Sequence, residues 1–254
     1  MSDRRYEKPA PIEVDEAVES LEFEPTDITL EEVLEPIPAT PYSKAEGIVT
    51  PEVFVVVFSN GEVREKNYFK WMMKNCARLK LEFFAVPISP DDLLDEVKKK
   101  KAEYMLTATD GTPDTYYTVT DVDHFYNDIV RSIPEYKKEE IKLIVSNPCF
   151  EVWLYYSKRA DKFEGFIMPE DRLKFSQSVK TFVNDKIPGG CNPKKAVFDI
   201  EQNIVNARAN YGEDEQRLPV QFATNMFILA ESVLPYVRKE IQAFLHKETP
   251  KDEG

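Results

Sequence analysis

The feature that most constrains the fold of this chain is an alternation, from residue 53 onward, of strand-length apolar runs with helical segments. Residues 53–58 are apolar without interruption, which is typical of a strand whose two faces are both buried. Further strands are predicted at residues 81–86, 116–120 and 141–145. Strands that alternate with helices predict an α/β fold with a parallel sheet flanked by helices.

Capping residues and charges predict where the helices begin and end. Residues 89–92, Ser-Pro-Asp-Asp, have the cap, proline and early acids of a helix start. The lysines at residues 98–101 predict the end of that helix, because cations suit a helix C-terminus. They are interpreted as a solvated helix end, with contact to phosphate as the alternative. After about residue 165 the pattern is helical only, and one helix is predicted to begin at Asn192-Pro193.

The first 48 residues differ from the rest in charge and proline content. They contain 13 acidic against 4 basic residues and six prolines. Such a composition predicts an acidic, disordered tail, because too little apolar surface can be buried to offset chain entropy. Two short apolar patches leave open that the tail docks on a partner or on its own domain. We therefore divide the chain into a tail (1–48), an α/β core (49–165) and a helical C-terminal part packed on the core (166–254).

Composition limits the classes of function. The formal net charge of −13 argues against a broadly basic nucleic-acid binder, although local basic faces remain compatible with it. Three scattered cysteines and two histidines predict neither a disulfide framework nor a histidine-rich zinc site, and they favour a reducing, cytoplasmic location. No apolar run reaches about 18 residues, so no membrane contact is expected. Cys191, which follows two glycines, is an alternative candidate for a reactive thiol.

Polar residues follow two of the predicted strands, at the edge where ligands bind in open α/β sheets. Asn60, Glu62 and Glu65 follow the first strand, and Asp121 and Asp123 follow the third. In an extended Asp-x-Asp both carboxylates point to the same side, since side-chain direction repeats every two residues. Two carboxylates held together predict a site for Mg²⁺ or Mn²⁺. Asp-x-Asp is also common in turns, so the spacing by itself leaves a structural explanation open.

A second polar cluster, residues 146–154, directly follows the fourth strand. Asn147 is predicted to cap a helix that has Pro148 in its first turn, and Glu151 would lie near the positive N-terminus of that helix. Phe150 and Trp153 are predicted to pack on the sheet. These structural roles alone account for most of the cluster.

Four segments, taken in order over residues 53–235, resemble the RloB-like family. Residues 146–154, Ser-Asn-Pro-Cys-Phe-Glu-Val-Trp-Leu, look like its hallmark, and residues 60–69 are similar to its Glu-Gly-Glu-x-Thr-Glu-x-x-Tyr-Phe block. Residues 121–124 fit its Asp-x-Asp strand end, and residues 204–208 resemble its late alanine-rich helix. The hallmark is the most specific of the four.

The resemblance implies a Toprim-like fold and a metal-dependent nuclease that cleaves RNA, with tRNA as one candidate, or DNA. It also implies a bacterial anti-phage system with an ABC-type or OLD-like ATPase partner, and a homo-oligomer is a further possibility. In this reading Asp121 and Asp123 hold Mg²⁺ or Mn²⁺, Glu62 is a ligand or base, and Asn60 and Glu65 are additional candidate ligands. Four further residues are expected to support the site or contact substrate: Glu151, Asn147, Lys194 and Lys195.

Two positions depart from the family pattern. Asn60 stands where the pattern has Glu, and an amide can coordinate a metal but cannot carry charge or act as a base. Arg64 stands where the pattern has Thr. The alternative hypothesis is therefore a catalytically silent subunit that binds or regulates an ATPase. A magnesium-dependent phosphotransferase is less favoured, since the chain has 8 glycines and no Walker pattern.

Overall fold

The structure, a computed structural model, describes residues 50–107, 111–188 and 190–248. Four parallel strands form one sheet in the order β2-β1-β3-β4. The predicted α/β fold with a parallel sheet is thus confirmed, whereas the predicted acidic tail lies outside the described residues. The strands are β1 (Val53–Ser59), β2 (Leu79–Ala85), β3 (Thr115–Asp121) and β4 (Lys142–Ser146).

Helices connect the strands and make up most of the described chain after β4, as the sequence predicted. The first three lie between successive strands: α1 (Arg64–Asn75), α2 (Pro90–Thr107) and α3 (Tyr126–Lys138). The others follow β4: α4 (Glu151–Tyr155), α5 (Phe175–Lys186), α6 (Pro193–Ala196), α7 (Ile200–Ala209) and α8 (Met226–Glu248). No helix in the described parts of the chain is long and apolar enough to cross a membrane.

Strand β1 lies in the interior because both of its faces are covered. Val55 and Val57 pack in one cluster with residues of α1, α4 and α8, such as Met72. Phe54 and Val56 pack in a second cluster that includes residues of α2 and α3. Alternating side chains therefore enter different cores, which is why the sequence of β1 is apolar without interruption.

Helix α2 is longer than the sequence indicated. The prediction that it ends at residues 98–101 is wrong, since it continues to Thr107. Lys98 pairs with Glu135 of α3 at 2.9 Å, and Lys101 pairs with Glu139 just beyond α3 at 3.7 Å. The other two lysines, Lys99 and Lys100, pair with acidic residues of α2 itself, so all four lie within the helix and have acidic partners.

Residues 222–225, which directly precede α8, cover the outer edge of β4. Ser146 forms an antiparallel bridge with Thr224, and the Asn225 side chain accepts a hydrogen bond from the Val145 N–H at 2.6 Å. The Asn147 side chain donates to the Pro219 carbonyl oxygen at 2.8 Å. The predicted capping role of Asn147 is therefore wrong: its amide anchors this segment, and α4 begins only at Glu151.

Candidate functional site

A cavity of about 440 Å³ opens at the carboxyl ends of β1 and β3. This is the edge of the sheet where a ligand was expected. We call it the carboxylate cavity, because five acidic side chains contribute to its wall. Its lining residues are Asn60, Gly61, Glu62, Val63, Arg64, Glu65, Pro87, Asp121, Asp123, Phe125, Glu151 and Lys180.

Glu65 projects into this cavity from the first turn of α1. The residue is only 6% exposed, and its carboxylate lies directly against Gly61. A β-carbon at residue 61 would overlap the carboxylate, so glycine is needed there for close approach and not for an unusual backbone angle. No ion pair involves Glu65 within the described residues. The sequence treated Glu62 as the main acid of this segment, but Glu62 is exposed at the cavity mouth.

Asp121 is the last residue of β3 and faces the same space. Burial raises the pKa of its carboxyl well above the usual range, and the negative charges of Glu65 and Glu151 raise it further. Burial and the charge of Glu151 also raise the pKa of Glu65, although its own backbone N–H opposes the change. In the part of the chain that the structure describes, no group donates a hydrogen bond to the Asp121 carboxylate. The cavity thus concentrates negative charge that the protein only partly compensates.

Asp123 lines the cavity by a different geometry from the one predicted. The expectation of an extended Asp-x-Asp is wrong, because Asp123 has φ of 30° and the chain turns after β3. The turn arises where Val122 is buried in a small apolar cluster with Ile129, while the Asp123 N–H donates to the Pro148 carbonyl oxygen at 3.0 Å. The Asp123 side chain is 43% exposed, which places it at the rim of the cavity.

Glu151 contributes the most deeply buried carboxylate of the cavity. It opens α4, its side chain is 3% exposed, and one of its oxygens lies 2.9 Å from Nε of Arg64. Arg64 is the first residue of α1, and its side chain is 37% exposed. The sequence placed Glu151 in a supporting role and noted Arg64 only as a departure from the family pattern. The structure makes them an ion pair inside the cavity wall.

Lys180, on α5, supplies a second cation that no sequence pattern indicated. It is half-buried and forms no ion pair within the described residues. Burial by itself would lower the pKa of the Lys180 amine, but the negative charges of Glu151 and Asp121 raise it above its ordinary value. The amine is therefore positively charged at neutral pH and faces the carboxylates.

Other predicted residues lie away from this cavity. Asn147 anchors the segment beside β4, and Lys194 and Lys195 belong to α6, where the Asn192 side chain caps the helix by accepting from the Lys194 N–H at 3.0 Å. Lys195 lines a separate hollow of about 140 Å³ together with Cys191. Burial raises the pKa of the Cys191 thiol to about 11, so it stays protonated at neutral pH and is a poor nucleophile.

A family model described as "RloB-like protein" matches residues 55–232. The chain belongs to the RloB-like family. The matched region extends from β1 into α8 and includes every residue of the carboxylate cavity. Comparison with curated proteins and with solved structures found no match.

Three of the four segments that resemble the RloB-like family contribute to the cavity, whereas residues 204–208 do not line it. Residues 60–69 supply Gly61, Arg64 and Glu65, and residues 146–154 supply Glu151. Residues 146–154 therefore combine a buried carboxylate, that of Glu151, with aromatic side chains that fill the core.

The donor atoms of this RloB-like cavity fit a hard divalent cation. No three Asp, Glu, His or Cys side chains of the described residues are placed to share one metal ion. Mg²⁺, however, keeps several waters and needs only one or two carboxylates from the protein. Asp121 and Glu65 supply such carboxylates and form no ion pair in the described part of the chain, and a bound metal would relieve the repulsion between them.

Proposed function

We propose that this RloB-like protein is a metal-dependent nuclease that cleaves phosphodiester bonds of RNA, with tRNA as one candidate, or of DNA. The observation that carries the proposal is the pair of Asp121 and Glu65, two carboxylates that form no ion pair within the described residues. They lie in one cavity with Lys180 at the carboxyl ends of parallel strands. Charge of both signs in one open cavity suits a substrate that is itself an anion and needs a cation to be attacked.

Asp121 and Glu65 would hold Mg²⁺ or Mn²⁺. Asp123 and Asn60 line the same cavity and would face the ion from its rim. A bound divalent ion supplies an activated water and neutralises charge on the scissile phosphate. The amine of Lys180 binds a phosphate oxygen as a positively charged donor. Glu62, which is exposed at the cavity mouth, would act as the base that accepts a proton from the attacking water.

The biological setting is proposed from the family alone. We infer a role as effector subunit of a bacterial anti-phage defence system, in the cytoplasm, with an ABC-type or OLD-like ATPase as partner. The net charge of −13 indicates that any nucleic acid contacts local cations such as Lys180, and not a broadly basic face.

A second candidate function is a catalytically silent subunit that regulates an ATPase. Two observations favour it: Asn60 cannot carry charge, and the Arg64–Glu151 ion pair neutralises one carboxylate of the cavity. A silent subunit would keep the fold and the family segments but bind divalent ions weakly.

The test is to incubate the purified chain with total RNA, tRNA and DNA in Mg²⁺, in Mn²⁺ and in EDTA. Cleavage that requires metal and disappears in Asp121→Asn supports the nuclease. If no substrate is cut but an ATPase co-purifies with the chain and changes its rate of hydrolysis, the silent subunit is favoured. Equal cleavage by wild type and Asp121→Asn would show that a contaminant is responsible.

A further inference from the structure

We propose that strand β2 is an interface between two copies of this chain. In this arrangement β2 pairs antiparallel with β2 of a second copy, around a two-fold axis at Leu81. The sheets of the two copies then join into one continuous sheet. The inference concerns the outer edge of the sheet and does not depend on the proposed nuclease activity.

The two outer strands of the sheet, β2 and β4, differ in how their edges are covered. Residues 222–225 cover the edge of β4. In the described part of the chain, no segment pairs with the outer side of β2. The side chains of residues 83–85, at the end of β2, are apolar and partly exposed. An open, apolar strand edge pairs readily with another strand, so this edge is available to a partner.

The backbone of β2 determines which of its residues can bind that partner strand. The Val86 N–H donates to the Ser59 carbonyl oxygen of β1 at 2.8 Å. Backbone groups alternate in direction along a strand, so the even-numbered residues of β2 face β1. The N–H and C=O groups of Leu81 and Phe83 therefore point outward, and no other segment of the described residues bonds to them.

An antiparallel pairing around Leu81 uses these outward groups. Leu81 lies opposite Leu81 of the second copy, and Phe83 lies opposite Leu79 of the second copy. Residues that lie opposite each other with outward groups exchange backbone hydrogen bonds. The Leu79 N–H already donates to the Cys76 carbonyl oxygen within its own chain. About four backbone hydrogen bonds would therefore join the two strands.

The charges of β2 select this register. Lys80 and Glu82 lie on the same face of the strand, with side chains 32% and 34% exposed. With the axis at Leu81, Lys80 of each copy lies opposite Glu82 of the other, in non-hydrogen-bonded pairs, where side chains are closest. Opposite charges in such positions stabilise paired strands. An axis at Phe83 would instead place Glu82 opposite Phe84, so the register around Leu81 is the one that pairs the charges.

The experiment measures the mass of the full chain by sedimentation over a range of concentrations. Wild type is expected to be a dimer. Lys80→Glu and Glu82→Lys each place like charges opposite each other, so each should weaken dimerisation by at least about tenfold. The double variant Lys80→Glu/Glu82→Lys exchanges the two charges and should restore the dimer. Lys142→Glu, on the covered edge strand β4, is the matched control and should remain a dimer.

Amide hydrogen exchange of the wild-type chain is a second readout that needs no variant. The N–H groups of Leu81 and Phe83 should exchange more slowly at high protein concentration than at low concentration, because the dimer protects them. This measurement decides the question if a single variant does not fold.

Three results would overturn the inference. The first is a monomer at every concentration, with exchange at Leu81 and Phe83 that does not depend on concentration. The second is a dimer whose affinity is unchanged by both single charge reversals. The third is a double variant that folds but stays monomeric.

Discussion

The carboxylate of Glu65 occupies the space that a β-carbon at residue 61 would fill, so the position of Glu65 depends on Gly61 being glycine. Two residues four apart in the sequence thus form one structural unit at the start of α1. The pairing explains a glycine whose backbone angles any residue could adopt, because the constraint comes from the space above it and not from its own conformation.

The first prediction is that Gly61→Ala separates stability from metal binding. The added methyl group displaces only the flexible end of Glu65, so we expect a loss of stability under about 1 kcal/mol. The displaced carboxylate should lower Mn²⁺ affinity by roughly tenfold or more. Isothermal titration and thermal melting measure the two effects. Gly212→Ala, which meets Val220 outside the cavity, is the matched control and should leave Mn²⁺ affinity unchanged.

The second prediction concerns the stability of the metal-free protein. The folded pKa of Asp121 is raised, so its ionisation disfavours the folded state, and stability falls as pH rises from the ordinary carboxyl range through the folded pKa. Asp121→Asn removes this effect. Its melting temperature in EDTA should exceed that of wild type by a few degrees at neutral pH, and the difference should shrink toward pH 4.

Asp123→Asn is the matched variant for that measurement, because Asp123 is 43% exposed and lies at the rim. It should melt like wild type in EDTA at every pH. If Asp121→Asn proved less stable than wild type at neutral pH, the view of Asp121 as an uncompensated carboxylate would be wrong. In the nuclease assay both variants should lose metal-dependent cleavage.

The third prediction is that Glu65 and Glu62, the two acids that follow β1, differ in their contribution to metal-dependent cleavage. Glu65 is buried in the cavity and Glu62 is exposed, so Glu65→Gln should abolish metal-dependent cleavage, whereas Glu62→Gln should retain metal binding. Asn60→Glu should raise metal affinity, because it adds a charged oxygen beside Asp121. Metal titration and a nuclease gel, run on the three variants together, test these three expected effects. Unchanged binding in all three would exclude this strand end as the active site.

The fourth prediction is that Lys180 binds the substrate and is not needed for metal binding. Lys180→Met removes a positive charge that faces the carboxylates, so Mn²⁺ should bind at least as tightly as in wild type. Cleavage should nevertheless fall by about 100-fold, the order expected when one preorganised charge is lost from a transition state. Lys186→Met, on the same helix but over the Phe182 ring, is the control and should cleave normally. Weaker Mn²⁺ binding in Lys180→Met would contradict the assignment.

The fifth prediction concerns the acidic segment outside the described residues. Removal of residues 1–48 should leave the melting temperature within a few degrees of the full chain, because the segment is rich in charge and proline. The truncated chain should bind a co-purifying ATPase less well, since its apolar patches are candidate anchors. Loss of cooperative unfolding would show that the segment contributes to packing, and unchanged affinity would remove its role in recognition.

Much of the fold could be predicted because its signals are local. The buried run of β1 and the polar residues that follow β1 and β3 are each readable within a few positions, and parallel strands bring their carboxyl ends to one edge. Asn60, Asp121 and Asp123 were therefore placed near one another correctly. The turn at Asp123 was missed because it involves contacts distant in sequence: the Asp123 N–H donates to the Pro148 carbonyl oxygen, and Val122 packs in one cluster with Leu218.

The cations of the site could not be predicted for the same reason. Lys180 lies on a helix with no motif, and the packing of α5 against α4 brings it to the cavity that Asp121 also lines. Arg64 was visible as an unusual residue, but its partner Glu151 lies on another element. The choice of Glu65 over Glu62 also required the structure, because both acids follow the same glycine and differ only in burial.

The segment at residues 222–225 covers the edge of β4 only after most of the sheet has been synthesised. Asn225 follows Val145 by 80 residues, so β4 leaves the ribosome long before the segment that covers its edge. An uncovered strand edge can pair with other chains, and a nascent chain interrupted before Thr224 would carry one. Until residues 222–225 have been made, the edge of β4 is therefore open to pairing with other chains.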